Sequence, residues 1–171
     1  MTMSEYNLIN GAVNSVDLLR IKNICLEQFA RSTLFPGGYP GITITDSSVC
    51  QYLSSFVPEN ITYDFSFGTG ANYVHTPLGR ALGFHSDKPL YELDENFKLK
   101  PEYENRVCVA TVIACLEGQA VIRITLTEDV REDVTLKAGD VLTLNGGVFH
   151  ELLPVEVELA SFACGFYCTD L

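Results

Sequence analysis

Between Val16 and Phe29 apolar residues return every three or four positions: Val16, Leu19, Leu26 and Phe29, with Leu18, Ile21, Ile24 and Cys25 between them. That is the helical period, and Asn14 and Ser15 stand ahead of it as capping residues, so the spacing predicts an amphipathic helix packed on a sheet. The segment Pro36-Gly37-Gly38-Tyr39-Pro40-Gly41 breaks the chain. Asp46-Ser47-Ser48 then caps a shorter helix in which Val49, Tyr52, Leu53 and Phe56 face inward. After Pro58 the period shortens to that of β-structure, and strands are expected near 61–68, 80–87, 107–116, 119–127, 132–136, 140–145, 148–157 and 159–168.

Several of these segments are apolar on both faces. The run Val107-Cys108-Val109-Ala110-Thr111-Val112-Ile113-Ala114 has no polar side to give to water, which implies burial between layers or inside a barrel. The expected class is mainly β with N-terminal helices (α+β). One domain over 1–171 is expected, with a helical lead-in over 1–60 and a β-core over 61–171. No internal repeat or low-complexity segment interrupts it.

Composition narrows the function classes. A chain of 171 residues that is 47% hydrophobic can bury a sizeable core. Its formal net charge of −11 and lack of a basic run disfavour nucleic acid as a partner, because gripping phosphates takes clustered Lys and Arg. The six cysteines, Cys25, Cys50, Cys108, Cys115, Cys164 and Cys168, lie in apolar segments without a CxxC pair and read as buried free thiols. The opening Met-Thr-Met-Ser-Glu-Tyr has neither the basic nor the apolar region of a signal peptide, and no apolar run is long enough to span a bilayer. No membrane association is expected, and the expected location is cytoplasmic.

The candidate chemistry lies in His85-Ser86-Asp87 and in His150, which follows Asn145-Gly146-Gly147-Val148-Phe149. In a strand, residues two apart share a face, so His85 and Asp87 project together. Two imidazoles and one carboxylate that leave other positions open form the ligand set of non-haem Fe(II) oxygenases. The His-x-Asp pair alone carries little weight: 22 acids among 171 residues put an acid two places beyond a histidine roughly one time in eight. Context adds to it, because the triplet closes the apolar stretch Ala81-Leu82-Gly83-Phe84 and His150 follows a glycine turn among strand-like segments.

The order of helix, short helix, His-x-Asp strand, strand pair, Gly-Asp-Val-Leu-Thr-Leu segment and distal histidine resembles the Fe(II)/2-oxoglutarate-dependent oxygenases, whose core is a double-stranded β-helix, a jelly-roll barrel. Tyr6-Asn7-Leu8-Ile9-Asn10 is similar to the family's lead-in, His85-Ser86-Asp87-Lys88 to its ligand motif, and Leu136-Lys137-Ala138-Gly139-Asp140-Val141-Leu142 to the approach to its distal ligand. The small prolyl-hydroxylase-like and nucleic-acid demethylase-like branches are the most similar in size. The resemblance implies Fe(II) held by His85, Asp87 and His150, bidentate 2-oxoglutarate, O2 in the remaining position, and hydroxylation of a small molecule or a peptide side chain. Retention of Asp87 resembles the hydroxylases more than the related halogenases.

The family also places a basic residue beyond the distal histidine to pair with the far carboxylate of 2-oxoglutarate. This chain has no Lys or Arg after Lys137, and Val155-Glu156-Val157-Glu158-Leu159-Ala160 stands at the expected place. Three readings remain open. The anchor comes from another strand, with Arg123 the leading candidate and Arg80 and Arg106 behind it; or the cosubstrate differs; or the substrate is oxidised directly. His75 lies about where similar enzymes carry a tyrosine that hydrogen-bonds cosubstrate or substrate, with Asn72 and Tyr73 beside it. The charged segment 88–106, with Tyr91, Phe97 and Tyr103, is placed to act as a lid or as a solvated excursion. Gly139, Asn145-Gly146-Gly147 and His150 also resemble the second cupin motif, and His85, Asp87 and Glu92 echo the first, so a cupin-like metal enzyme is the alternative. A non-catalytic binding domain on the same fold is the third reading.

Overall fold

The computed structural model describes residues 5–31, 41–63, 65–87 and 106–170. Ten strands and two helices follow in the order β1 (Tyr6–Ile9), α1 (Ser15–Arg31), β2 (Gly41–Ile44), α2 (Ser47–Ser54), β3 (Phe65–Thr76), β4 (Leu82–His85), β5 (Arg106–Glu117), β6 (Gln119–Thr125), β7 (Arg131–Lys137), β8 (Val141–Asn145), β9 (Phe149–Leu152) and β10 (Ala160–Asp170). The strands form a six-stranded sheet, β1-β8-β5-β10-β3-β2, and a four-stranded sheet, β4-β9-β6-β7, antiparallel at every pairing. This is the double-stranded β-helix that the family resemblance implies.

Both helices start where their caps predict. Asn14 accepts from the Asp17 amide at 2.9 Å, and Asp46 accepts from the Ser48 amide at 2.9 Å, each satisfying a donor the first turn leaves open. The buried stripe of α1 differs from the expectation, however. Ile21 and Cys25 are its fully buried residues, whereas Val16 and Leu19 are 75% and 60% exposed. The helical period is therefore right, but the buried face is centred on Ile21 and Cys25 and leaves Val16 and Leu19 facing outward.

The six-stranded sheet carries a core on each face. Ile21, Cys25, Val49 and Leu53 of the helices pack on Tyr73, Val112, Ala163 and Tyr167. On the other face Ile113, Phe162, Leu142 and Leu144 meet Ile122, Ile124, Leu136 and Leu152 of the four-stranded sheet. This explains why β5 reads as apolar throughout: its even and odd residues serve different cores. Asp140 ties the β7–β8 corner to the N-terminal strand, accepting from the amides of Gly11 at 2.8 Å and Lys137 at 2.9 Å.

Strand limits moved in three places. The strand expected over 61–68 runs instead from Phe65 to Thr76 as β3, so His75 lies within a strand. The expected strand 148–157 ends at Leu152. Pro154 has no amide to give, and the amide of Val155 donates to Arg80 O at 3.0 Å while its carbonyl accepts from Gly79, so 153–159 braces the 77–80 turn. The two edge strands β1 and β2, four residues each, went unrecognised because runs so short carry little period. Tyr91, Phe97 and Tyr103, the aromatics of the segment read as a lid or a solvated excursion, lie outside the described residues, as do Lys88 and Glu92. No helix among the described residues is long and apolar enough to cross a membrane.

Candidate metal centre

β4 and β9 are neighbours in the four-stranded sheet, and their register sets His85 directly against His150. Between Leu82↔Leu152 and His85↔His150 the β4 side counts one residue more than β9, a bulge that turns both Leu82 and His85 inward. A regular strand would have sent them to opposite faces. Asp87 follows just beyond the strand end and closes the group. One ligand atom from each of His85, Asp87 and His150 lies within 4.8 Å of the others. The imidazole centroids are 4.4 Å apart with the planes tilted by 54°.

The hydrogen bonds fix which nitrogen faces the centre. His85 Nδ1 lies 2.7 Å from Gly83 O and His150 Nδ1 lies 3.0 Å from Val148 O. A carbonyl only accepts, so in the neutral rings Nδ1 carries the proton and Nε2 presents its lone pair. These Nε2 atoms stand 3.6 Å from Asp87, His85 against Oδ1 and His150 against Oδ2. Two lone pairs and a carboxylate thus converge from three sides, an arrangement a divalent cation satisfies; backbone carbonyls on the far nitrogens are the usual support for histidine ligands. Burial pushes the His150 imidazole below its ordinary pKa, against the opposing pull of Asp87, which keeps it neutral and ready to coordinate. The residues present fit a metal of this kind.

Thr111 on β5 completes the group. Its Oγ1 donates to Asp87 Oδ2 at 2.8 Å and aims the carboxylate from below. Sequence reasoning missed this residue, although a hydroxyl inside the apolar run of β5 was a usable signal. The centre opens on a cavity of about 90 Å³ between the sheets. Its polar groups are His85, Asp87, Thr111 and His150; Val74, Ile113, Ile122, Leu152, Phe162 and Cys164 are among its apolar walls.

Solved structures share this arrangement of strands. A prolyl-4-hydroxylase from Pseudomonas putida superposes with a TM-score of 0.65 at 18% identity, covering 95% of this chain and 92% of the other. An oxidoreductase of the 2OG-Fe(II) oxygenase family from Burkholderia pseudomallei gives a TM-score of 0.64 at 11% identity over 96% and 84% of the two chains. The chain has the fold of the Fe(II)/2-oxoglutarate-dependent oxygenases. HygX from Streptomyces hygroscopicus, solved with nickel and 2-oxoglutarate bound, shares the same oxygenase fold with a TM-score of 0.64 at 10% identity over 98% and 83%. No protein-family model matches the sequence, and no curated protein matches it either.

Within this oxygenase fold two expected cosubstrate residues fall elsewhere. Arg123 is on β6, where Ile122 and Ile124 are buried and Arg123 faces out, pairing with Asp133 of β7 through Nε–Oδ1 at 2.7 Å and Nη2–Oδ2 at 2.9 Å. It is a surface ion pair and not a cavity residue. His75 follows Val74, which lines the cavity, so alternation turns His75 to the helix side, where it stacks on Phe29 at 4.7 Å and meets the Tyr73 hydroxyl at 3.1 Å. Tyr73 shares that side, whereas Asn72 alternates to the inner face opposite Cys164. Arg80 is exposed in the turn before β4, and the side chain of Arg106 is outside the described set. Among the described residues no Lys or Arg lines the cavity.

Proposed function

We propose that the protein is a non-haem Fe(II) oxygenase that couples oxidative decarboxylation of a 2-oxo acid, the class to which 2-oxoglutarate belongs, to hydroxylation of a small molecule or a peptide side chain. The observation that carries this reading is the convergence of His85, Asp87 and His150 within 4.8 Å at the mouth of an apolar cavity in this fold. What the metal supplies when bound is O2 activation tied to loss of CO2 from the 2-oxo acid.

The remaining work falls to the chain's own residues. His85 and His150 each offer an Nε2 and Asp87 offers a carboxylate, three ligands that leave further positions on a metal for exchangeable ligands. Thr111 holds Asp87 in place. Val74, Ile113, Ile122 and Phe162 give the cavity beside the ligands apolar walls, which disfavour water next to the reacting atoms.

A cupin-like metal enzyme that needs no 2-oxo acid is the second reading, favoured by the lack of a basic wall residue among those described. One anaerobic titration separates the two. Fe(II) protein mixed with saturating 2-oxo acid develops the weak visible charge-transfer band of a chelated keto acid, and His85→Ala loses it. Stoichiometric Fe(II) binding with no band for any 2-oxo acid overturns the oxygenase reading in favour of the cupin-like one.

A further inference from the structure

The polar and apolar parts of the cavity are segregated. Among the described residues, the four lining side chains that carry nitrogen or oxygen, His85, Asp87, Thr111 and His150, are linked to one another through Asp87. The walls beyond them are hydrocarbon: Val74 from β3, Ile113 from β5, Ile122 from β6, Leu152 from β9 and Phe162 from β10. On β10 the inward positions Phe162, Cys164 and Phe166 are all uncharged, while Ser161 and Ala163 turn away. Burial drives the Cys164 thiol far above its ordinary pKa, so it stays a neutral wall atom.

A ligand that reaches the metal therefore lays the rest of its length along hydrocarbon. An ionised carboxylate at its far end would leave water for walls that offer, among the described residues, no cation and only the weak Cys164 thiol as a donor. A branched alkyl tail meets the same walls without that penalty.

We propose that the 2-oxo acid of this site carries an apolar, uncharged tail, and that the site ranks such acids above 2-oxoglutarate, with Val74, Ile113, Ile122 and Phe162 as the specificity-determining residues. The inference rests on the 2-oxo acid reading above. The chelating head is common to both acids, so discrimination comes from the tail alone. A hydrophobic pocket distinguishes ligands by roughly 10- to 200-fold per methylene, which makes a tenfold preference the least the walls should give.

The test is a pair of anaerobic titrations of the Fe(II)-loaded wild-type protein, one with 4-methyl-2-oxopentanoate and one with 2-oxoglutarate. Each is followed by the charge-transfer band and by calorimetry. The expected result is a Kd at least tenfold lower for 4-methyl-2-oxopentanoate. In Phe162→Lys, if it folds, the order reverses because an ammonium then stands among the described apolar walls; the wild-type ranking decides the matter without it. Equal or tighter binding of 2-oxoglutarate by the wild type overturns the tail preference and leaves the oxygenase reading standing. Absence of a band with both acids, in protein that holds Fe(II), overturns the oxygenase reading and the tail preference with it.

Discussion

Replacing Thr111 by valine tests whether Asp87 is a positioned ligand. The two side chains are nearly equal in volume, valine suits a strand, and Thr111 is only 1% exposed, so the change deletes one hydroxyl and little else. That hydroxyl donates to an Asp87 oxygen at 2.8 Å, and the Asp87 side chain is 13% exposed. Hydrogen bonds to charged groups contribute about 1.5–3 kcal/mol. At about 1.4 kcal/mol per factor of ten, the full value weakens metal binding from roughly tenfold to a little over a hundredfold. Loss of a residue that orients a ligand costs about 10- to 100-fold in metal affinity, which brackets the same range. The assay is anaerobic calorimetric titration of apo protein with Fe(II), repeated with Co(II), for wild type, Thr111→Val and Thr111→Ser. Thermal unfolding of the apo forms shows that the fold is kept. Thr111→Ser should stay close to wild type, since it retains the donor. If Thr111→Val binds within threefold of wild type, the hydroxyl does not orient Asp87 and the argument fails.

His85→Ala should abolish stoichiometric Fe(II) binding with little effect on apo unfolding temperature, because the His85 side chain is 33% exposed; retained binding removes it from the centre. Arg123→Ala should leave metal and 2-oxo acid affinities unchanged, because the guanidinium lies outside the barrel against Asp133; a tenfold loss of 2-oxo acid affinity would restore it to the site. His75 should make stability fall on acidification. Burial, opposed by Glu117, lowers its folded pKa below the ordinary imidazole value of 6.5, so the unfolded chain binds more protons, and the stability present above 6.5 is lost as pH falls through the folded value. His75→Phe removes this contribution, so its melting temperature relative to wild type should climb from pH 7.5 to pH 5 on the order of the window set by these values; a constant difference refutes it. Gly146→Ala should destabilise the apo protein by about 3 kcal/mol or more in urea unfolding, because a Cβ there would sit 1.8 Å from Cys108 O in the turn leading to His150; an unchanged midpoint would disprove that contact.

Much of this protein was legible from local pattern. Caps at Asn14 and Asp46 act over two or three residues, so they start their helices wherever the chain ends up. The doubly apolar β5 and the half-apolar β6 announced how many faces each would bury. The candidate ligand group was visible too, because His85 and Asp87 are close in sequence and only two other histidines were available beside them. Arg123, the leading anchor candidate from the sequence, was misplaced: Ile122 and Ile124 claim the inner face of β6, and alternation leaves the residue between them outside.

Other features belong to the tertiary structure alone. The bulge in β4 depends on what β9 offers opposite it, and without it His85 and Leu82 would not face the same cavity. The Thr111–Asp87 contact joins residues 24 apart, one on β5 and one just beyond the end of β4. His75 and Val74 differ in role only because helices cover one face of β3 and the second sheet covers the other. The sequence by itself determined the elements, the class of fold and the residue types able to hold a metal, since these follow from period, capping and side-chain chemistry within a few residues. Which residues share the cavity, and the apolar character of its walls, were decided by strand register and by the packing of two sheets, since those pairings have no local signature along the chain.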